Sequence, residues 1–270
     1  MSLFLEKDYE EFSFFGGGNI AQSIIKGLIN SGYSPKNIFF VDRNGNNQKV
    51  LKKLGIKKLS DAKNKIDLYI LAVKPKDATA AFQTILKENT KPKIVSLVAG
   101  IKIKRYKSFE KNIEIMRAMP NTSSKFGLGI TAIYNSSFKQ TDLSRVIKLF
   151  EKIGIVITLK EEKKIDTFTG MIGSGPAYFF YLLKSYEKKL LQLCNGNKQK
   201  VNEIIVNLMK GVGASVENDK DLDKLISAVA SKKGTTEAGL KSFKENKLNK
   251  VFEKGLKAAI KRSGEISNEY

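Results

Sequence analysis

EFSFFGGGNIAQSII, residues 11 to 25, sets three consecutive glycines between an apolar run and a helical pattern. Glu11 to Phe15 reads as a short strand. From Asn19 the apolar residues Ile20, Ala21, Ile24, Ile25 and Leu28 recur at the spacing of one helix face. Gly16, Gly17 and Gly18 therefore occupy a strand-to-helix turn, the place where a chain can bend sharply and present free backbone amides to an anion.

The rest of the N-terminal half repeats this alternation. Compact apolar runs at 37–42 (NIFFVD), 67–73 (DLYILAV), 93–99 (KIVSLVA), 113–119 (IEIMRAM) and 154–159 (GIVITL) read as strands. Segments long enough for a crossover helix separate most of them, which predicts a Rossmann-like, doubly wound and largely parallel sheet. Such a sheet binds its ligand at the carboxyl ends of the strands. In that context Gly16, Gly17, Gly18, Asn19, Ile20 and Ala21 form a G-x-G-x-x-A dinucleotide loop. Gly16 permits the tight turn, Gly18 the close approach of a pyrophosphate, and Ala21 close contact between helix and sheet. Asp42 ends the second strand, twenty-six residues after Gly16. An acid there accepts hydrogen bonds from the adenosine ribose, as NAD binding requires. Arg43 and Asn44 follow at once and suit the 2′-phosphate of NADP, so the residues alone leave both cofactors open.

From about Glu162 the strand-like runs stop and helical patterns take over: 176–193, 200–216, 222–231 and 235–262. The expected organisation is a dinucleotide-binding domain over 1–161 and an all-α domain over 162–270. Pro176 suits the start of a helix, with Ser174 and Gly175 leading into it. A helical domain of about 105 residues is a weak core by itself, and its spare apolar faces predict dimerisation.

Composition removes several function classes. The chain has 270 residues, 41% of them hydrophobic, and no apolar run of the roughly 18 to 20 residues that spans a bilayer. No secretory pattern is visible at the N-terminus and there is one cysteine, Cys194, so a cytoplasmic protein without disulfides or a Cys-rich metal site is expected. The net charge of +21 comes almost wholly from lysines scattered through every segment, with Arg43, Arg105, Arg117, Arg145 and Arg262 the only guanidinium groups. Without interleaved stacking aromatics this reads as a solvated surface that favours anionic small molecules, not as a nucleic-acid site. Histidine is absent. Chemistry that needs an imidazole base, and His-ligated metal, are excluded with it.

Five phrases in order then carry a resemblance: GGGNIA (16–21), AVKP (72–75), MPNT (119–122), GSGPAY (173–178) and SKKGTTEAGL (231–240). Their order and spacing resemble pyrroline-5-carboxylate reductase, the last enzyme of proline synthesis, over about residues 13 to 257. The resemblance implies that the glycine loop holds the pyrophosphate of NADPH, with NADH also used. It implies that Ala72, Val73, Lys74 and Pro75 lie along the cofactor, that the turn at Val98, Ala99 and Gly100 approaches the nicotinamide, and that Pro120 and Asn121 border the reacting centre. Gly234, Thr235 and Thr236 would hold the carboxylate of 1-pyrroline-5-carboxylate near a partner subunit, with Ser231 and Ser174 on the substrate side and Thr236 approaching the imine nitrogen. A homodimer or larger homo-oligomer is implied too. The missing histidine suits this chemistry, because a protonated cyclic imine accepts hydride directly and the protein has only to position the reactants.

Two positions depart from the family pattern: Lys232–Lys233 stands where Pro-Gly is usual, and Ser123 where proline is. Other activities exist on the same scaffold. A 3-hydroxy acid or 6-phosphogluconate type of dehydrogenase needs a lysine followed one helical turn later by asparagine, and Lys184 is followed by Lys188. A non-catalytic nucleotide-binding regulator is the remaining class.

Overall fold

The computed structural model describes residues 11–269. The first ten residues, where no secretory pattern is read, and Tyr270 lie outside that range. Eight strands form one sheet: β1 (Phe12–Phe15), β2 (Ile38–Val41), β3 (Lys57–Lys58), β4 (Leu68–Leu71), β5 (Lys93–Ser96), β6 (Glu114–Met119), β7 (Gly129–Asn135) and β8 (Gly154–Thr158). Their order is β3-β2-β1-β4-β5-β6-β7-β8. Every neighbouring pair is parallel except β6 with β7, where Arg117 faces Tyr134. The strands expected from the sequence are all present. β3 and β7 are additions.

Strand side chains alternate between two buried faces. Phe12, Phe14, Leu68 and Ile70 point to one, where Ile24, Ile25 and Leu28 of α1 (Asn19–Asn30) and Val146 and Phe150 of α5 (Gln140–Glu151) cover them. Phe15, Tyr69 and Leu71 point to the other, beneath Phe82 and Ile85 of α3 (Ala78–Glu88) and Tyr106 of α4 (Ile103–Lys107). Burial on both faces is why these strands read as unbroken apolar runs. Between β2 and β3 lies α2 (Gly45–Lys53), capped by the Asn44 side chain, which accepts from the amides of Asn46 and Asn47.

The chain forms two compact units, one of residues up to Ser174 together with 258 onward, the other of Gly175–Lys257. The pattern change near residue 162 precedes the division after Ser174, because Ile165 and Phe168 of α6 (Lys164–Phe168) bury against Met119 and Ala132. The last turns of the C-terminal helix α11 (Leu248–Glu269) close on this first unit. A side chain at Gly170 would meet the Ile260 backbone at 2.6 Å, and Ser263 Oγ donates to Asp166 Oδ1 at 3.0 Å.

The second unit consists of α7 (Gly175–Leu193), α8 (Lys198–Asn218), α9 (Leu222–Val229), α10 (Thr235–Glu245) and the beginning of α11. The pattern at 235–262 is broken into α10 and α11 at Asn246 and Lys247, the latter in a left-handed conformation at φ 56°. Tyr178 and Phe252 meet edge to face at 6.2 Å. Only Gly175 and Val201 of this unit are buried, whereas Phe179, Phe180, Tyr181, Tyr186, Val212 and Val251 are largely exposed. A single copy leaves most of these apolar faces uncovered, far more than a small soluble unit normally shows. No helix among the described residues is long and apolar enough to cross a membrane.

Candidate active site

Because β1, β4, β5 and β6 run parallel, the turns that follow them share one edge of the sheet. A cavity of about 470 Å³ opens there, lined by Gly16, Gly17 and Gly18, by Asp42, Arg43 and Asn44, and by Ala72, Val73 and Lys74. Nine residues singled out by sequence thus meet in one place. Pro75 opens the short 3₁₀ turn Pro75–Asp77 beside them, while Asn19, Ile20 and Ala21 form the first turn of α1. Ala21 is fully buried, in keeping with its helix-to-sheet role.

The three glycines are there for different reasons. Gly16 has φ 102°, and a Cβ on it would lie 2.4 Å from the Ala72 carbonyl oxygen. Gly17 faces Leu51 and Asp42, with 2.5 Å and 3.0 Å available. Gly18 has ordinary extended backbone angles, φ −70° and ψ −175°, and a Cβ there would meet nothing within 4 Å. Nothing in the protein requires glycine at 18. Gly18 stands as the N-cap of α1, where the amides of the first helical turn face open space and could meet an anion.

Asp42 is turned toward the glycine loop. Its Oδ2 accepts from the Gly17 amide at 2.5 Å and from Asn47 Nδ2 at 3.0 Å, and its Oδ1 from the Asn44 amide at 2.5 Å. A carboxylate has about four acceptor positions, so most of its capacity is spent inside the protein. Arg43 projects into solvent and reaches across the mouth of the cavity to Asp77 Oδ1 at 2.7 Å. An ion pair that exposed contributes about 0–1 kcal/mol, so the guanidinium exchanges partners readily. Lys74 and Lys76 line the same opening and make it cationic. Asn47, Lys76, Asp77 and Thr84 belong to the cavity and were missed by the sequence reading. Asn47 had a signal, since Asn44 and Asn47 are spaced as a helix cap and its third residue.

Further along the same edge, Ala99 and Gly100 follow β5, and Pro120 and Asn121 follow β6. Gly100 has φ 78°, and a Cβ on it would lie 2.4 Å from Ile266 Cγ2 on α11. Its lack of a side chain is required by that helix. Asn121 is buried and accepts the Ile130 amide on Oδ1 at 3.1 Å, while its carbonyl accepts Ser124 Oγ at 2.8 Å. It therefore shapes the loop from β6 to β7. Ser174 ends the first unit, its amide donating to the Thr169 carbonyl at 2.9 Å.

The other expected substrate residues lie in the second unit. Gly234 caps α10, Thr235 and Thr236 are its first two residues, and the amides of this first turn have no partner within the helix. The Gly234 amide donates to the Ser231 carbonyl at 2.9 Å, and Ser231 Oγ would lie 2.3 Å from a Cβ on Gly234. Lys233 adopts φ 60°, a conformation suited to the glycine usual at this point in the resembling family. Glu237 supports it by accepting the Lys233 amide at 2.6 Å.

Comparison with known proteins places the chain in a family. Residues 162–266 match the family model for pyrroline-5-carboxylate reductase dimerisation, and residues 11–100 the model for NADP oxidoreductase, coenzyme F420-dependent. Pyrroline-5-carboxylate reductase 1 of Bacillus spizizenii is 33% identical over 273 residues, covering 97% of this chain and 91% of its own. The pyrroline-5-carboxylate reductase of Staphylococcus aureus is 32% identical, covering 94% and 97%. Among solved structures, a pyrroline-5-carboxylate reductase from Coxiella burnetii superposes with a TM-score of 0.83 at 28% identity, covering 96% of this chain and 99% of that one. The Plasmodium falciparum pyrroline carboxylate reductase, solved with NADP bound, gives 0.82 at 21% identity, covering 95% and 98%.

Proposed function

Because the chain belongs to the pyrroline-5-carboxylate reductase family, we propose that it reduces 1-pyrroline-5-carboxylate to L-proline, its glycine-loop cavity taking the cofactor and the α10 N-terminus the substrate carboxylate. The protein is an NAD(P)H-dependent oxidoreductase acting on a C=N bond. The observation that carries the residue assignment is the meeting of Gly16, Gly17 and Gly18 with Asp42, Arg43 and Ala72 to Lys74 around one cavity at the carboxyl ends of the strands.

NADPH supplies the hydride. The amides of Gly18 and Asn19 hold its pyrophosphate, and Ala72 to Pro75 line its course. Arg43, released from Asp77 and joined by Lys74 and Lys76, receives the 2′-phosphate, a dianion best met by a guanidinium fork. Asp42 acts through Gly17 by fixing the loop. This favours NADPH with NADH as a second substrate. Ala99 and Gly100 with Pro120 and Asn121 border the nicotinamide.

The substrate carboxylate is held by amides and hydroxyls of Gly234, Thr235 and Thr236, with Ser231 and Ser174 as further substrate contacts. Thr236 Oγ1 faces the imine nitrogen. No strong base is needed, since the imine is protonated before hydride reaches its carbon, and the product keeps that proton on nitrogen. Catalysis is positioning of reactants. The second unit pairs with a second copy to form at least a homodimer, which covers the exposed apolar faces of α7 and α8. We place the enzyme in the cytoplasm with no nucleic-acid or membrane partner.

Steady-state oxidation of NADPH and NADH with 1-pyrroline-5-carboxylate, with L-proline measured as product, tests this reading. Turnover with a higher kcat/KM for NADPH supports it. Absence of proline formation with either cofactor overturns it.

A further inference from the structure

Arg117 is the largest fully buried side chain of the first unit, 1% exposed in the middle of β6, away from the cavity. A guanidinium in that position is costly unless paired. Its partner is Glu162, with Nη1 3.1 Å from Oε1. Among the described residues its Nε and Nη2 have no hydrogen-bond partner.

The contacts show what is fixed. The Oε1 of Glu162 that meets Arg117 also accepts the amide of Ile103 at 2.8 Å, at the first residue of α4. One helical turn on, the Tyr106 hydroxyl lies 3.0 Å from Ser96 Oγ. Ser96 Oγ in turn takes the Val98 amide at 3.4 Å. Ser96 is also the register partner of Arg117 across β5 and β6. The contacts close into a ring running Arg117, Glu162, α4, Tyr106, Ser96 and back to Arg117. The turn at Val98, Ala99 and Gly100 hangs inside it, tied at Val98 on one side and at Ile103 on the other. Two residues beyond Arg117, β6 delivers Met119, Pro120 and Asn121.

We propose that Arg117 and Glu162 are positioning residues for hydride transfer: this ion pair, its guanidinium buried and its carboxylate partly exposed, sets the 98–100 turn and the 119–121 segment relative to one another. The inference rests on the reading above that those two segments border the nicotinamide. Neither side chain touches the reactants. The pair acts through backbone it holds, at a distance scale where a shift of about 1 Å lowers a rate by up to about a hundredfold.

The test uses the full chain with two variants, Glu162→Gln and the double variant Arg117→Met with Glu162→Met, which removes both charges together and avoids an uncompensated buried cation. Wild-type turnover is measured first, and its absence would count against the functional reading, not against the ring. Three readouts follow on both variants: NADPH affinity by fluorescence, kcat with its deuterium isotope effect from 4-deuterated NADPH, and amide hydrogen exchange across residues 97–104. The expected result is NADPH affinity within about twofold, kcat lowered about tenfold or more with a larger isotope effect, and faster exchange at Val98 and Ile103. A purely structural role would lower active-enzyme concentration, seen as reduced NADPH stoichiometry, without changing the isotope effect. Unchanged exchange at 97–104, or kcat within twofold of wild type in a variant that binds NADPH fully, would overturn the proposal.

Discussion

The amide of Gly17 donates to Oδ2 of Asp42 at 2.5 Å, so the acid that ends β2 is bonded to the dinucleotide loop. The Asn44 amide and Asn47 Nδ2 hold the same carboxylate. A residue positioned to read the ribose thus spends most of its acceptor capacity on the turn that carries the pyrophosphate.

This separates two neighbouring substitutions. Asp42→Ala frees the Gly17 and Asn44 amides and is expected to weaken NADPH and NADH to a similar degree, by on the order of 1.5–3 kcal/mol for lost bonds to a charged group. Arg43→Ala leaves the loop intact and is expected to raise KM for NADPH about tenfold while changing that for NADH little. Equal loss of both cofactors in Arg43→Ala would show that the guanidinium does not read the phosphate.

The glycine loop gives a second contrast. Gly16→Ala combines a left-handed φ with a Cβ 2.4 Å from the Ala72 carbonyl, and should destabilise the fold by about 3 kcal/mol or more. Gly18→Ala has room for its methyl and an ordinary backbone, and should lose only about 0.5–1 kcal/mol of stability, the cost of alanine for glycine at a helix N-cap. Its methyl nevertheless enters the space assigned to the pyrophosphate. Thermal unfolding and NADPH titration on both proteins check this, with affinity at least about tenfold weaker in Gly18→Ala. Wild-type affinity there would move the pyrophosphate elsewhere.

What could be read in the sequence follows from which physical signals are local. β1, β2 and β4 are buried on both faces, so their apolar runs announce themselves. The loop of Gly16, Gly18 and Ala21 is equally legible, since its spacing falls within six residues between a strand and a helix. β7, GITAIYN, went unread because its antiparallel place beside β6 depends on the turn at 122–127 and not on its own composition. The break at Asn246 and Lys247 lacks glycine or proline to mark it. Arg117 looked like one of five scattered arginines, because its partner Glu162 is forty-five residues away and only the fold brings them together. The role of Gly100 was likewise hidden, since Ile266 lies far along the chain.

Tyr106 gives a pH prediction. Burial pushes its hydroxyl up from 10.0 to about 12, against the smaller opposing effects of the Ser96 hydroxyl and the Arg117 charge. The folded chain keeps the phenolic proton more tightly than the unfolded one. This contribution is fully present below about pH 10 and is lost as pH rises from there through about 12, a change on the order of 2 kcal/mol. Chemical denaturation at several alkaline pH values should show a steeper stability loss in wild type than in Tyr106→Phe. Parallel slopes would mean that the hydroxyl titrates at its ordinary value in the folded protein.

The last prediction concerns Thr236. It stands at the second position of α10, where Thr235 and Thr236 present amides and hydroxyls at the positive end of the helix dipole. Its side chain makes no capping hydrogen bond to the helix, since the cap position is Gly234. Thr236→Ala therefore removes one hydroxyl without removing a helix contact, and alanine is a better helix former than threonine. Stability should hold or rise slightly. Cofactor affinity should be unchanged, because the glycine loop lies in the other unit. The loss should fall on kcat/KM for the imine, at on the order of 1.5–3 kcal/mol for a hydrogen bond to a charged group, or about tenfold to a hundredfold in rate. Thr236→Ser keeps the hydroxyl and should recover most of it. A Thr236→Ala enzyme with wild-type kcat/KM would remove this residue from the site and shift the carboxylate contacts to Thr235 and the backbone amides.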